Sequence, residues 1–134
     1  MILADTSAWV EYDRATGSPV DARVAQLIAD GGPLAVTEPV VMEVLAGART
    51  DDREVDLRSL LLRSRSCAST LPQISTAPCA CTVAAARLAS RRADCMIAAV
   101  AWRRGATILA YDADLDRVAR VIGIDVDPAS HRAP

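Results

Sequence analysis

A chain of 134 residues suits one compact domain with a hydrophobic core, and none of its apolar runs is long enough to span a membrane. The formal charge of −2 and the pI of about 5.3 exclude a global basic field, so a nucleic-acid partner would need a bound cation and local arginines. All 15 basic residues are arginine, and lysine, phenylalanine and asparagine are absent, the mark of a GC-rich genome.

Ile2-Leu3-Ala4 is a short apolar run that stops at Asp5-Thr6-Ser7, which reads as a buried strand feeding a helix capped by Thr6 or Ser7. Met1 to Asp5 contain no basic n-region, so a secretory signal is not expected and the cytoplasm is the expected compartment. Val20, Val24, Leu27 and Ile28 share one helical face, ended by Gly31-Gly32-Pro33. Leu34-Ala35-Val36 is a second strand, and Thr37-Glu38-Pro39 opens a helix with Val40, Val41, Val44 and Leu45 on its apolar side and Gly47 as its stop. Asp51 to Leu62 places acids early and arginines late, as the helix dipole favours. Residues 64–92 show no convincing period before Val83 to Leu88. Order returns at Asp94, where Met96 to Trp102 continues an apolar helix ended by Gly105. Thr107 to Ala110 reads as a strand, Leu115 to Val121 as a short helix, and Ile124-Asp125-Val126 as a last strand. Strands alternating with helices predict an α/β/α sandwich around a mainly parallel sheet, as a single domain over residues 1–131 with a short tail at 132–134.

Four acids stand out. Asp5 and Asp112 directly follow short apolar strands, where ligand crevices form in parallel sheets. Glu43 lies on the helix after the second strand, and Asp94 opens an apolar helix. Singly, each has a plain structural use: Asp5 as a cap, Glu43 as a solvated helix residue, Asp94 at a helix N-terminus and Asp112 as a turn former. Together they would repel, one like-charged pair at 4 Å costing about 4 kcal/mol at an effective dielectric of 20. A divalent cation relieves that repulsion, and hard oxygen ligands suit Mg²⁺ or Mn²⁺. The four cysteines, Cys67, Cys79, Cys81 and Cys95, match no zinc spacing and are expected as free thiols; the one histidine, His131, sits in the tail. Arg91, Arg92, Arg103 and Arg104 read as a solvated face, and Trp9, Trp102 and Tyr111 as core or rim rather than a base-stacking platform.

Four segments resemble the motifs of PIN-domain toxins of the VapC type: Met1 to Val10, Glu38 to Gly47, Asp94 to Ala101, and Leu109 to Leu115. The resemblance covers residues 1–63 and 94–131. It implies a Mg²⁺-dependent endoribonuclease, with Mn²⁺ as a possible substitute, that hydrolyses RNA phosphodiesters, is silenced by a cognate VapB antitoxin and forms a homodimer. Carried over by position, Asp5 and Asp94 are direct metal ligands, Glu43 and Asp112 complete the pocket, and Asp114 ligates a metal or its waters. Thr6 or Ser7 would contact a metal-bound water or a phosphate. A receiver domain fits poorly because lysine is absent, and the common Asp-x-Asp phosphatase motif is missing at Asp5-Thr6-Ser7.

Residues 64–93 depart from the resemblance. With GC-rich codons, Ser69 to Arg92 read in a neighbouring frame can yield aromatic residues and a Thr-Pro-Arg ending of the kind the family carries there. An indel near residue 64 with a compensating one near Ala93 would explain this, and the gene sequence across codons 60–95 tests it. The second reading of the chain follows: a frameshifted, catalytically impaired remnant that at most binds its antitoxin.

Overall fold

A computed structural model describes residues 1–67 and 92–130. Strand β1 (Ile2–Ala4) leads into α1 (Thr6–Arg14) and α2 (Pro19–Ala29), and β2 (Leu34–Thr37) into α3 (Glu38–Ala46) and α4 (Asp51–Arg63). After β3 (Arg65–Cys67), the described chain resumes with α5 (Arg92–Arg104), β4 (Thr107–Leu109) and α6 (Ala113–Ile122). Most of the frame-change segment, residues 68–91, thus lies outside the described residues, as does His131.

The four strands form one parallel sheet in the order β3-β2-β1-β4. The chain steps outward from β1 through β2 to β3, then returns across β1 to β4. With right-handed crossovers, that reversal puts the helices of the outward path on one face and α5 and α6 on the other. It also creates a switch point beside β1, where a crevice opens beyond the carboxyl ends of the strands. The packing agrees: α1 rests on α2 and α3, α3 on α4, and α5 on α6 and β4.

The predicted helices form for the expected reasons. Val20, Val24 and Leu27 bury one face of α2, Ser18 caps it through the Asp21 amide, and Pro19 sits in its first turn, where no amide donor is needed. Ile97, Ala98 and Ala101 bury the inner face of α5. Of the caps that the sequence offers for helix α1, the structure uses Asp5 rather than Thr6 or Ser7. The Asp5 side chain accepts from the Ser7 amide, so Thr6 and Ser7 lie inside the helix. Its end is unusual: Ala15 takes the left-handed conformation (φ 48°) that normally favours glycine.

Two further differences lie at the sheet edges. Arg65-Ser66-Cys67 pairs with Ala35-Val36-Thr37, although its polar sequence has no strand period. Backbone pairing to a formed neighbour decides that edge, and no side-chain pattern signals it. Ile124-Asp125-Val126 is not a strand but a single parallel bridge from Val126 to Ile108. The chain is pinned there by other means. The Asp127 amide donates to the Ile108 carbonyl (2.8 Å), the Ala110 amide donates to Ser130 Oγ (3.1 Å), and buried Asp127 accepts from Arg23 Nε at 3.2 Å. Asp127→Ala is expected to cost about 1–3 kcal/mol, with Arg23 about one-third exposed and so able to recover water. Urea denaturation reads this out, and an unchanged midpoint would show that the pair merely decorates the surface.

Candidate active site

Each acid reaches the crevice from a different element. Asp5 stands where β1 becomes α1, and its amide bonds to the Leu109 carbonyl of β4 (2.9 Å). Its carboxylate is 5% exposed and accepts from the Ser7 amide (3.0 Å) and Ser7 Oγ (2.6 Å). Ser7 Oγ in turn accepts from the Tyr111 amide at 2.8 Å, joining the Asp5 turn to the loop after β4. Asp112 closes that loop as the N-cap of α6, its Oδ1 accepting from the Asp114 amide (2.8 Å). Glu43 comes from the middle of α3, and Thr6 Oγ1 donates to its Oε2 at 2.5 Å. Asp94, also 5% exposed, comes from the first turn of α5.

These side chains line one cavity of about 240 Å³, whose walls are Asp5, Thr6, Ser7, Val10, Glu11, Glu43, Ala93, Asp94, Tyr111 and Asp112. The structure therefore brings together the four acids singled out in the sequence, and Thr6 and Ser7 with them. The two hydroxyls donate to carboxylates here: Ser7 to Asp5, Thr6 to Glu43. Asp114 is not in the wall. Its carboxylate receives Arg117 at 2.7 Å one turn along α6, because residue 114 faces away once residue 112 caps the helix. Glu11 is a wall residue that the sequence reading missed. The signal was its position four residues after Ser7, one turn further along the same stripe of α1.

Among the described residues, five carboxylates and no arginine line this cavity. Burial pushes the Asp5 carboxyl above its ordinary value, with the Asp112 charge adding to that and the Ser7 hydrogen bonds opposing it. Burial, and then Asp94, push the Cys95 thiol up, so this residue is a poor nucleophile. A larger cavity of about 630 Å³ lies at the other end of β2, walled by Leu27, Ile28, Leu34 and Leu60, with no carboxylate among its described lining residues.

The donor set suits a hard divalent cation: among the described residues the ionisable side chains of the wall are oxygen ligands only, and two of them are buried. Among the described residues, no three of these carboxylates converge closely enough to enclose an ion as they stand. The chemistry of the lining fits a metal, and binding would have to draw the side chains together.

A parallel sheet with a switch point at β1, and acids delivered from β1, α3, α5 and the β4–α6 loop, define a PIN-domain protein. The PIN-domain profile matches residues 2–121, and the chain belongs to that family. Within the family it belongs with the VapC proteins. It is 40% identical over 135 aligned positions to "VapC ribonuclease Mb1587" of Mycobacterium bovis and, equally, to "Ribonuclease VapC11" of Mycobacterium tuberculosis, covering 92% of this chain and 96% of each relative. Among solved structures it resembles a chain of VapBC2 from Rickettsia felis bound to a DNA fragment from their promoter, with a TM-score of 0.65 at 15% identity over 95% of this chain and 98% of that one. That likeness is one of fold.

Proposed function

We propose that the chain is a metal-dependent endoribonuclease, the toxin of a toxin–antitoxin pair, that hydrolyses RNA phosphodiesters in the acidic cavity. The observation that carries the reading is the meeting of Asp5, Glu43, Asp94 and Asp112 in one wall whose described residues include no basic side chain. The ribonuclease names of relatives sharing 40% identity support it.

Asp5 and Asp94, the buried pair, would hold Mg²⁺ directly, with Mn²⁺ as a substitute; Glu43 and Asp112 would complete the pocket. Such an ion lowers the pKa of bound water and offsets charge developing on a phosphoryl oxygen. Ser7 orients the Asp5 carboxylate through two hydrogen bonds, and the Tyr111 amide fixes the Ser7 hydroxyl in turn. Thr6 orients Glu43 from the neighbouring helix, so the acid that is most exposed to solvent still has a defined position. Glu43 or Asp112 is the available group for accepting a proton from an attacking water. Asp114, engaged by Arg117, is left out of this set.

A VapB-type antitoxin is the proposed partner, since the similar Rickettsia felis structure is one of VapBC2, and a homodimer is the proposed assembly. The remnant reading draws on residues 64–93, mostly outside the described structure, whereas the four acids sit together in the part that is described.

The test is direct. Purified protein should cut single-stranded RNA with Mg²⁺ or Mn²⁺ and stop in EDTA. Mg²⁺ at a hundred times its dissociation constant should stabilise the fold by about 2.7 kcal/mol, seen as a rise in Tm. A folded protein that leaves RNA intact with both metals, while still binding VapB, would establish the remnant reading instead.

A further inference from the structure

Helix α1 carries more than the acidic cavity. Ser7, Glu11 and Arg14 stand at i, i+4 and i+7, so one stripe of the helix runs from the carboxylate wall to a guanidinium about 10 Å further along the axis. At that far end lies a second cleft of about 490 Å³, walled by Asp13, Arg14, Arg49, Thr50 and Arg53. Arg14 closes α1, and Arg49 precedes the Thr50 cap of α4.

The three arginines are not equivalent. Arg53 is held by Asp13 at 2.5 Å and lies 3.9 Å from Asp56, so its charge is answered within the fold. Arg14 and Arg49 are exposed, and neither has an ion pair or side-chain hydrogen bond among the described residues. Asp51 and Asp52 begin the same helix but do not line the cleft. The protein as a whole is acidic, and among the described residues no basic side chain lines its reactive cavity. A polyanion must therefore be attracted somewhere other than where it reacts. Two unanswered guanidiniums in a concave site, on the helix stripe that leads to the carboxylates, meet that need.

We infer that the Arg14–Arg49 cleft binds phosphates of the RNA strand flanking the scissile bond, with Arg53 and Asp13 as the scaffold that holds its floor. This rests on the ribonuclease reading above. The arginines are positioning residues: they fix where the strand enters the acidic cavity and do not touch the reacting phosphate.

The test compares the wild type with the Arg14→Gln/Arg49→Gln double variant, after matching circular dichroism melts confirm that both are folded. Two measurements are made: binding of a labelled long single-stranded RNA in EDTA across a salt series, and steady-state cleavage in Mg²⁺. Each lost phosphate contact should flatten the slope of log affinity against log salt by about 0.7, and so the pair by about 1.4. KM for long RNA should rise roughly tenfold with kcat unchanged, and an oligonucleotide too short to span α1 should be cut as by the wild type. Arg14→Lys/Arg49→Lys should restore most of the salt slope, because the charge returns.

An unchanged slope and KM in the glutamine variant overturns the cleft while leaving the nuclease intact. Equal loss on short and long substrates also overturns it, since the arginines would then act on the reacting centre. Loss of VapB affinity with RNA binding untouched makes the cleft a protein contact and ends the proposal. Arginine-dependent RNA binding by a wild type that cuts nothing supports the cleft and sinks the nuclease reading. RNA neither bound nor cut sinks both.

Discussion

Asp94→Asn is expected to lower RNA cleavage by about a hundredfold to a thousandfold while the protein stays folded. Asp94 is 5% exposed and one of two buried acids in the cavity wall, and the substitution keeps its size while removing the charge that would face a cation. Asp5→Asn should lose activity to a similar degree but move stability in the opposite direction. An amide oxygen can still accept from the Ser7 amide and hydroxyl, so the α1 cap survives. Burial, the largest cause, and Asp112 hold the Asp5 carboxyl above its ordinary value, which means the ionised form is disfavoured by folding. Such a group lends the folded state most stability below its unfolded value of 3.8, and that contribution is lost as pH rises through its raised folded value. At neutral pH in EDTA the charge is therefore a net cost, and Asp5→Asn should raise Tm, at roughly 4 °C per kcal/mol for a domain of this size. The same pair of measurements should show the metal-free wild type gaining Tm on mild acidification more than Asp5→Asn does. Cleavage by either variant at the wild-type rate would remove the acidic cavity from the mechanism. A lower Tm for Asp5→Asn in EDTA would show that the carboxylate earns its place structurally.

Leu3→Ala should destabilise the domain by about 2–5 kcal/mol, a large part of a total of about 5–15. Leu3 is fully buried on β1, one of two described strands with neighbours on both sides, where it pairs with Ala35 of β2 and Ile108 of β4. The site depends on the same strand, since Asp5 lies two residues further on and its amide is fixed to the Leu109 carbonyl. Activity should then fall with the folded fraction and return on cooling, unlike the loss in Asp94→Asn. Leu62→Ala is the control: Leu62 is 78% exposed on α4, and its loss should stay within about 0.5 kcal/mol. Urea midpoints at constant m-value decide the matter, and equal costs for the two leucines would contradict the placement of β1 at the centre.

Much of this architecture was legible because it is written locally. The α2 face of Val20, Val24 and Leu27, the Pro19 and Pro39 starts and the apolar runs of β1, β2 and β4 are short-range patterns, and each formed within a residue or two of expectation. Asp5, Glu43, Asp94 and Asp112 were legible for a related reason: strand ends and helix starts are where parallel sheets gather polar groups. What escaped has no local pattern. The β3 edge and the Val126 bridge are held by backbone pairing, and Asp127 and Ser130 act through partners at Arg23, Ile108 and Ala110, far away in sequence. Asp114 looked equivalent to Asp112 in the Asp-x-Asp pair, and only the cap geometry and Arg117 separated them.

The sequence by itself determined the alternation of helices and strands, the family and the candidate acids, because periodicity, turn residues and short motifs act over a few positions. Only the tertiary structure decided that β1 sits between β2 and β4, that Glu11 joins the acidic wall while Asp114 leaves it, and that Arg14 and Arg49 share a cleft. Those outcomes depend on which distant surfaces bury each other, and a side chain's neighbours across the sheet leave no trace in the residues beside it.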